Sequence, residues 1–429
     1  MSTAHVAPAA TPLTIRTVPL PIDSVSSLLS LLPDEGALAW VRDGEGLVGW
    51  GEAARVSVSG AERFSRAQRW WTSFCAEAVV DDRVRVAGSG PVAFASFAFD
   101  PSPGTSVLVV PSVVVGLRDG RAWLTVVSTS SDPSSTSDSV DAGELLRAAS
   151  AVRTPVGLRY AEGSVEVTTW LGAVDEATRR IEAGELDKVV LARDIVAHLD
   201  EPLDVRHVLA RLSSAYPECW TFCVDGMVGA TPELLVRRSG ESVMSRVLAG
   251  TVRRSSDAGS DAELATSLLE SAKDHEEHAY AVASVAAALA AHCTDLSVPP
   301  SPRLLALANV QHLATDVTGS LADGATVLGL AASLHPTAAV CGTPTERAFA
   351  LIRSLEGMSR GRYAGPVGWL SADGDGELGI ALRCGAVADD GLSVRLFAGC
   401  GIVAASSPEA ELAESQAKLV PMRDALESS

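Results

Sequence analysis

Aromatic residues are scarce in this sequence, since Trp, Tyr and Phe make up 5% of its 429 residues. Hydrophobic residues still reach 47%, so Val, Leu and Ala must fill most of a large core. A run of about 18 uncharged apolar residues is absent, which argues against a membrane-spanning helix. The first residues, MSTAHVAPAATPLT, have neither a basic start nor an apolar run, so they do not resemble a signal peptide.

Positive charge is also in short supply. The 34 Lys and Arg residues face 53 Asp and Glu residues, which gives a formal net charge of −19. This balance argues against a nucleic-acid-binding protein, because phosphate contacts need clustered Lys and Arg. It argues equally against attachment to an anionic membrane surface. A site for an anionic substrate must therefore create a local positive patch, and a bound metal ion is one way to do so.

The seven cysteines follow no framework spacing, and their number is odd. Cys219 and Cys223 come nearest to a pair, but neither a second pair nor a histidine cluster follows them. This pattern argues against a zinc site. We expect reduced thiols in a cytoplasmic protein.

Short strands separated by turns dominate the first half of the chain. We predict a hairpin over residues 37–50 and strands over 91–99 and 106–115, which are rich in Val and Phe. The run 128–139 consists mainly of Ser, Thr, Asp and Pro and predicts a mobile surface loop. Because no linker divides the chain, we expect one globular unit across residues 1–429.

Helical patterns become frequent after Val174. A long helix is predicted over 261–292, and a last helix begins near Pro408, where two serines and the proline form a good helix start. Apolar strands are predicted over 188–193 and 379–386. The mixture of hairpins and unevenly spaced helices favours an α+β fold over a doubly wound sheet.

Two groups of charged residues each have two interpretations. In the last helix, Glu411, Glu414 and Lys418 fall on one face at spacings of three and four. That face is either solvated or turned into a cleft as metal and carboxylate ligands. The cluster at 273–278 interrupts an otherwise apolar helix, and it either faces water or supplies the oxygen ligands that suit magnesium.

Two further segments also leave alternatives open. Gly399-Cys400-Gly401 could present backbone N–H groups to an anion, or the glycines could simply permit a tight turn. Arg383, near the end of an apolar strand, is either a salt-bridged edge residue or a clamp for a carboxylate.

Nine segments of the second half occur in a recognisable order. They are DKVVLAR (187–193), GATPELLVR (229–237), LAGTVRR (248–254), AKDHEEH (272–278), VQHLATDVTG (310–319), LHPTAAVCGTP (334–344), RYAGPVGW (362–369), GELGIALRC (376–384) and FAGCGIVAASSPEAELAESQAKL (397–419). In this order they resemble the chorismate-utilising enzymes, a family that includes isochorismate and salicylate synthases and the large chains of anthranilate and aminodeoxychorismate synthases. The resemblance implies two large packed β-sheets with helices on the outside, as in the anthranilate synthase large chain. Residues 160–425 would form the chorismate-binding catalytic region, and residues 1–155 would add strands to the same sandwich.

The resemblance also implies a set of site residues. Magnesium would be held by Glu277 and Glu414, with Glu411 and either Glu276 or Asp274 nearby. The substrate-binding residues would be Gly250, Thr251, His312, Tyr363, Arg383, Gly399, Gly401 and Lys418. Cys400 stands where the family more usually has alanine, and we expect little effect from this difference.

Lys188 and Glu233 are the expected catalytic pair. The implied reaction adds water at ring carbon 2 of chorismate and removes the hydroxyl from ring carbon 4, which needs a base and an acid. Lys188 would be the base and Glu233 the acid; burial moves their pKa values in the required directions. In ammonia-using relatives the position of Lys188 resembles a glutamine, so a lysine favours water as nucleophile. The alternative is a lysine at a strand edge on the surface.

We therefore expect a magnesium-dependent enzyme that converts chorismate to isochorismate, as a monomer without an amidotransferase subunit. The segment LHPTAAVCGTP resembles isochorismate synthases more than salicylate synthases, so salicylate synthase is the second interpretation. An ammonia-using synthase and a non-catalytic chorismate-binding protein are the remaining alternatives. Both a menaquinone and a siderophore pathway are compatible with the sequence.

Overall fold

The computed structural model describes residues 13–128, 150–255 and 257–427. Apart from Ser128, the loop predicted over 128–139 lies outside these residues. The described part of the chain contains 23 strands, eight α-helices and two short 3-10 helices, Ile22–Ser24 and Leu29–Leu31.

The strands, in chain order, are β1 (Thr14–Leu20), β2 (Leu38–Arg42), β3 (Glu45–Trp50), β4 (Ala54–Ser59), β5 (Val79–Asp82), β6 (Val92–Ser96), β7 (Thr105–Val110), β8 (Val113–Arg118), β9 (Arg121–Ser128), β10 (Arg159–Glu162), β11 (Lys188–His198), β12 (Trp220–Val224), β13 (Met227–Thr231), β14 (Leu234–Ser239), β15 (Ser242–Arg253), β16 (Cys293–Ser297), β17 (Arg303–Ala306), β18 (Val310–Leu321), β19 (Gly342–Thr343), β20 (Pro366–Ser371), β21 (Gly376–Ile380), β22 (Cys384–Val387) and β23 (Ser393–Ile402). The helices are α1 (Arg63–Glu77), α2 (Val167–Glu182), α3 (Val205–Ala215), α4 (Ala258–Glu270), α5 (Ala272–Ala290), α6 (Val327–Leu334), α7 (Thr345–Leu355) and α8 (Pro408–Leu426).

The strands form two large, mostly antiparallel sheets, which confirms the predicted α+β fold. The larger sheet has 13 strands in the order β10-β11-β23-β22-β13-β12-β2-β3-β8-β9-β1-β5, with β19 paired to β11. The smaller sheet has ten strands in the order β16-β18-β15-β14-β21-β20-β6-β7-β4, with β17 paired to β18.

Each sheet combines strands from both halves of the chain. In the larger sheet β2 pairs with β12, which brings Val41 opposite Thr221. In the smaller sheet β6 pairs with β20, which brings Ser96 opposite Val367. The second half of the chain therefore shares its sheets with strands that lie much earlier in the sequence.

The prediction of single strands over 106–115 and 379–386 was wrong in both cases. The first run contains β7 and β8, which belong to different sheets and are separated at Pro111, a residue that cannot donate to a ladder. The second run contains β21 and β22, again in different sheets, and Arg383 lies between them with a φ of +48°. Most residues of both runs are buried, so their apolar pattern does not reveal where the chain changes sheets.

The single helix predicted over 261–292 is also wrong, because the chain forms α4 and α5 with a break at Ser271. Ser271 has an extended backbone (φ −70°, ψ 111°), and its hydroxyl accepts a hydrogen bond from the N–H of Asp274 at 3.2 Å. This is an N-cap, which satisfies a donor at the start of α5.

The few aromatic residues lie mainly in the core. Six of the eight tryptophans are fully buried, and one apolar cluster joins side chains of both sheets, such as Trp40 of β2 and Trp369 of β20. Among the described residues, no helix has the length and apolar character needed to cross a bilayer.

Candidate active site

The predicted site residues meet in one small cavity with a volume of about 60 Å³. Eleven of the twelve line it directly: Glu233, Gly250, Thr251, Glu277, His312, Tyr363, Arg383, Gly399, Gly401, Glu414 and Lys418. The twelfth, Lys188, contacts the cavity residue Glu277. Strands of both sheets and the helices α5 and α8 thus contribute to the same site.

Lys188 is the first residue of β11 and is completely buried. Its Nζ lies 3.0 Å from Oε1 of Glu277, which is an ion pair by distance although Nζ has no well-oriented hydrogen-bond acceptor among the described residues. The alternative of a surface lysine is therefore excluded. Burying a lysine and a carboxylate removes both ions from water, and this desolvation costs free energy that their mutual attraction must offset.

The complete sequence contains only three lysines, and all three pair with carboxylates at this site. The pairs are Lys188–Glu277 at 3.0 Å, Lys273–Glu411 at 3.3 Å and Lys418–Glu414 at 2.5 Å. Every other cationic side chain of the chain, histidine aside, is an arginine. The site is thus the one place where this sequence uses the compact, flexible ammonium group.

The charged face of α8 points into the protein, which excludes its interpretation as a solvated face. Glu411 is 2% exposed, and burial together with the charge of Glu414 raises its pKa. Lys418 donates a hydrogen bond to the carbonyl of Gly399 at 2.9 Å. Burial opposes the charged form of Lys418, but Glu414 raises the pKa of Lys418 above its usual range.

Glu277 of α5 and Glu414 of α8 line the same cavity, but the close group of possible metal ligands among the described residues joins Glu414 with Glu411 and Cys400 and does not include Glu277. Carboxylate oxygens from two elements are the ligands that Mg²⁺ favours. Ligand atoms of Glu411, Glu414 and Cys400 lie within 4.8 Å of one another. Burial raises the pKa of the Cys400 thiol far above its ordinary value, so the thiol stays protonated and the oxygens remain as ligands.

The two alternatives on α5 differ in position. Asp274 is half-buried beside Gly250, where a Cβ would lie 3.1 Å from the Asp274 side chain. Burial and the charge of Glu277 raise the pKa of Asp274. Glu276 is exposed and accepts a hydrogen bond from the hydroxyl of Tyr280 at 3.3 Å. Asp274 therefore lies on the cavity side of the helix and Glu276 on its outer side.

Glu233 lies between β13 and β14, where the chain passes from the larger to the smaller sheet. Its backbone is fixed by hydrogen bonds to Thr231 and Ile380. Burial raises the pKa of Glu233 to about 8, although Lys188 and Arg383 oppose this shift. Near neutral pH the side chain is therefore mostly a carboxylic acid that can donate a proton.

His312 is held as a neutral ring that orients Arg383. Nη2 of Arg383 lies 3.2 Å from Nε2 of His312, and a guanidinium can only donate, so Nε2 must be the acceptor. The ring proton is then on Nδ1, which faces Thr251 Oγ1 at 3.0 Å and the carbonyl of Gly250 at 3.3 Å. Burial and the charge of Arg383 lower the pKa of His312 well below its usual value.

Arg383 forms no ion pair within the described residues, which favours the carboxylate clamp over the salt-bridged edge residue. It is 8% exposed, lines the cavity and adopts the left-handed backbone region that arginine rarely occupies. Such backbone strain is typical of functional positions.

Two of the three glycines that line the cavity, Gly399 and Gly401, leave space for neighbouring side chains. A Cβ on Gly401 would lie 2.2 Å from Oε1 of Glu277 and 3.1 Å from Cε of Lys188. A Cβ on Gly399 would lie 3.0 Å from the hydroxyl of Tyr363. Neither residue has a φ in the left-handed region, so the close approach of side chains is the reason for glycine here.

Arg360 lines the cavity and was missed by the sequence reasoning. Its guanidinium pairs with Glu356 at 2.7 Å, and both side chains are almost fully buried. It also donates to the carbonyls of Val190 on β11 and of Val340 in the segment that precedes β19 and lies beside β11, each at 2.8 Å. A glutamate and an arginine four residues apart next to the RYAGPVGW segment were the available signal.

If the active site were chosen by cavity volume alone, a different cavity would be selected. A larger cavity of about 690 Å³ opens beside Trp40, Arg42 and Arg303, and its buried carboxylate, Glu377, is held by tryptophan and arginine donors. It contains no lysine, and no group of three metal-ligating side chains lies there among the described residues. The chemistry of the side chains, rather than volume, therefore selects the smaller cavity.

A comparison with protein families matches residues 21–427 to the chorismate binding enzymes. Isochorismate synthase MenF of Bacillus subtilis is 32% identical over 403 residues, which cover 89% of this chain and 85% of that protein. The salicylate biosynthesis isochorismate synthase of Pseudomonas aeruginosa is 36% identical over 414 residues, or 91% of this chain and 84% of that protein.

A solved structure gives the same result. The menaquinone-specific isochorismate synthase MenF of Escherichia coli superimposes with a TM-score of 0.79 at 27% identity, covering 97% of this chain and 95% of that one. The likeness thus extends over both sheets and both halves of the sequence.

Proposed function

This chain belongs to the chorismate binding enzymes, and from that membership we propose that it is an isochorismate synthase, an isomerase that converts chorismate to isochorismate. The observation that carries the proposal is the presence, at one closed site, of a buried lysine and a carboxylic acid that is protonated near neutral pH. The reaction needs these two groups, one to take a proton from water and one to give a proton to the departing hydroxyl.

In the proposed reaction Lys188 takes a proton from a water molecule as that water attacks ring carbon 2. The ring double bonds shift, the bond from ring carbon 4 to its hydroxyl breaks, and Glu233 gives its proton to the departing oxygen. One water enters and one leaves, so substrate and product are isomers. Proton exchange with solvent then restores the neutral amine and the carboxylic acid.

Lys188 can act as a base only as the neutral amine. Nζ of Lys188 lies 3.0 Å from Oε1 of Glu277. Glu277 is also proposed to hold Mg²⁺, so a bound metal ion would change the surroundings of the carboxylate that Lys188 faces. The proposed base and the proposed metal ligand are therefore coupled through a single carboxylate.

We propose that Glu277 and Glu414 hold Mg²⁺, with Glu411 and Asp274 close by. The three glutamates are already matched by three lysines, which leaves Arg383 as the uncompensated cation among the described residues that line the cavity. A dianionic substrate needs more positive charge than one arginine offers. Bound Mg²⁺ would supply that charge and withdraw electron density from the reacting ring system.

Substrate carboxylates are assigned to Arg383 and Lys418, with Tyr363 and the strand at Gly399–Gly401 forming the wall. His312 keeps Arg383 in place and stays neutral, so it does not compete for the anion. The cavity volume of about 60 Å³ is far below the roughly 300–1,000 Å³ of typical ligand sites. Binding therefore requires the walls to move apart.

The decisive experiment incubates the purified protein with chorismate and Mg²⁺ in buffer free of ammonia and separates the products by chromatography. Isochorismate should form, and a Lys188→Gln variant should lose activity by roughly 10²–10⁴-fold. An Arg159→Gln variant, which also removes one positive charge, is the matched control, because Arg159 is exposed on β10 and pairs with Asp200 away from the cavity.

Other products would identify the alternatives. Salicylate and pyruvate as the sole products would show a salicylate synthase, and strict dependence on ammonia would show an aminating synthase. Full turnover by Lys188→Gln would remove the proposed base from the mechanism.

A further inference from the structure

A second cleft lies against α8 and takes no part in the proposed reaction. Its volume is about 680 Å³, and its walls come from β10, β11, the end of β15 and α8. We call it the outer cleft and define it by the polar residues Tyr160, Arg193, Arg253 and Asn309 together with the apolar side chains opposite them.

The floor of the outer cleft is a buried arginine without an acidic partner. Arg193 is 8% exposed and forms no ion pair within the described residues. Its Nη1 reaches only the hydroxyl of Ser415, at 3.5 Å, and its Nε has no acceptor there. A buried guanidinium left in this state is costly, because such groups normally bind a carboxylate or phosphate.

The neighbouring acids do not provide this partner. Asp194, the next residue along β11, is held by Arg395 and by Ser164. Glu162 lies at the exposed edge of the cleft, and no ion pair joins it to Arg193.

A second cation and an unused acceptor lie in the same cleft. Arg253 is exposed, donates to the carbonyl of Ala413, and has no acidic partner among the described residues. Asn309 donates through Nδ2 to the carbonyl of Ala417 at 3.1 Å, which fixes the orientation of its amide. Its buried Oδ1 then has no donor within the described part of the chain. The cleft therefore offers an anion site and, separately, an acceptor for a hydroxyl.

Ile195, Leu419 and Val420 form an apolar part of the wall. The cleft is also lined by Glu162, Gln416 and two arginines that already have acidic partners, Arg254 with Asp261 and Arg423 with Glu427. A fully hydrated inorganic anion has nothing to gain from this surface, whereas an organic acid can cover it with its carbon frame. The combination of charge, acceptor and apolar wall defines a hydroxylated carboxylic acid.

We propose that the outer cleft binds a small hydroxylated organic acid, with its carboxylate on Arg193 and Arg253 and its hydroxyl on Asn309 Oδ1. The carbon frame lies against Ile195, Leu419 and Val420. Such a ligand contacts the elements that carry the reaction, because Arg193 follows Lys188 by five residues on β11 and α8 bears Lys418. The outer cleft is thus a binding site distinct from the substrate cavity.

The probe for this site is 4-hydroxybenzoate, titrated calorimetrically into the full-length protein. Because the substrate cavity can also take a carboxylate, two variants separate the sites. Arg193→Gln should weaken binding at least tenfold, whereas Arg383→Gln should leave it within threefold of the unaltered protein. Arg159→Gln, on β10 outside the cleft and paired with Asp200, is the control for loss of one positive charge and should change nothing.

Two further titrations complete the test. Benzoate lacks the hydroxyl and should bind at least threefold more weakly than 4-hydroxybenzoate. If Arg193→Gln does not fold, Gln416→Glu serves instead, because this exposed residue of α8 lines the cleft and its new carboxylate would compete for Arg193. The proposal is overturned if the unaltered protein shows no saturable binding, or if Arg383→Gln abolishes binding while Arg193→Gln or Gln416→Glu leaves it unchanged.

Discussion

Replacing Glu233 by glutamine should separate catalysis from stability in a way that depends on pH. Glutamine has nearly the shape of the carboxylic acid and cannot ionise. Because Glu233 is proposed to protonate the departing hydroxyl, the variant should lose roughly 10²–10⁴-fold in kcat. For the unaltered enzyme, activity should fall as pH rises through about 8, where burial places the pKa of Glu233 and the acid is lost.

The same substitution that lowers activity should raise stability at high pH. The pKa of Glu233 is about 8 in the folded protein and 4.5 as its ordinary value, so the unfolded chain releases this proton first. Stability is then fully present below about 4.5 and is lost progressively up to about 8. The total loss is roughly 5 kcal/mol, from 1.36 kcal/mol for each pH unit. Above pH 8, Glu233→Gln should therefore be more stable than the unaltered protein by up to that amount.

Urea unfolding at several pH values and the pH profile of kcat/KM measure the two effects. Glu201→Gln is the control, because Glu201 is an exposed carboxylate and its removal should change neither quantity. A flat profile between pH 7 and 9, or a glutamine variant that is less stable than the unaltered protein at every pH, would refute the reasoning.

Three further predictions concern other parts of the site. Gly401→Ala places a methyl group against Glu277 and Lys188 and should lower kcat more than tenfold, whereas Gly172→Ala, in an open position on α2, should leave turnover unchanged in the same assay. Arg360→Met leaves Glu356 buried without its partner and should lower the free energy of unfolding by about 3–5 kcal/mol; the double variant with Glu356→Gln should lose less, and an equal or greater loss would contradict a coupled pair. Saturating Mg²⁺ should raise the melting temperature of the chelator-treated protein but not of Glu277→Gln/Glu414→Gln, and an unchanged temperature in both would remove the proposed metal ligands.

The fold class could be predicted from the sequence, but the path of the chain between the sheets could not. The segments 106–115 and 379–386 are mostly buried on both sides of the crossover, so the apolar residues of one sheet follow those of the other without a clear break. The break at Ser271 was readable, since a serine followed three residues later by an acidic residue is a helix start. Because apolar residues continue on both sides of Ser271, the sequence was interpreted as one helix rather than two.

The meeting of the predicted site residues at one cavity agrees with the order of the motifs, because each motif contributes residues to the lining or contacts it. The pairing of charges could not be predicted from the sequence, since Lys273 and Glu411 are separated by 138 residues and meet only when α5 and α8 pack beside the same strands. Arg360 was missed because it binds the backbone carbonyls of β11 and of the neighbouring segment before β19, and backbone carbonyls have no signature in the sequence.

The concentration of all three lysines at one cavity turns an ordinary amine label into a local reporter. Reductive methylation with ¹³C-formaldehyde modifies ε-amines, and in most proteins it marks the whole surface. In this chain the only ε-amines are those of Lys188, Lys273 and Lys418, so every dimethyl-lysine signal would come from this site. Lys273 is 38% exposed and should be labelled first, whereas Lys188 is completely buried and Lys418 is 12% exposed, so both should be labelled slowly. A change in the labelling rate of these two on addition of chorismate or Mg²⁺ would report movement of the cavity walls without a single substitution in the protein.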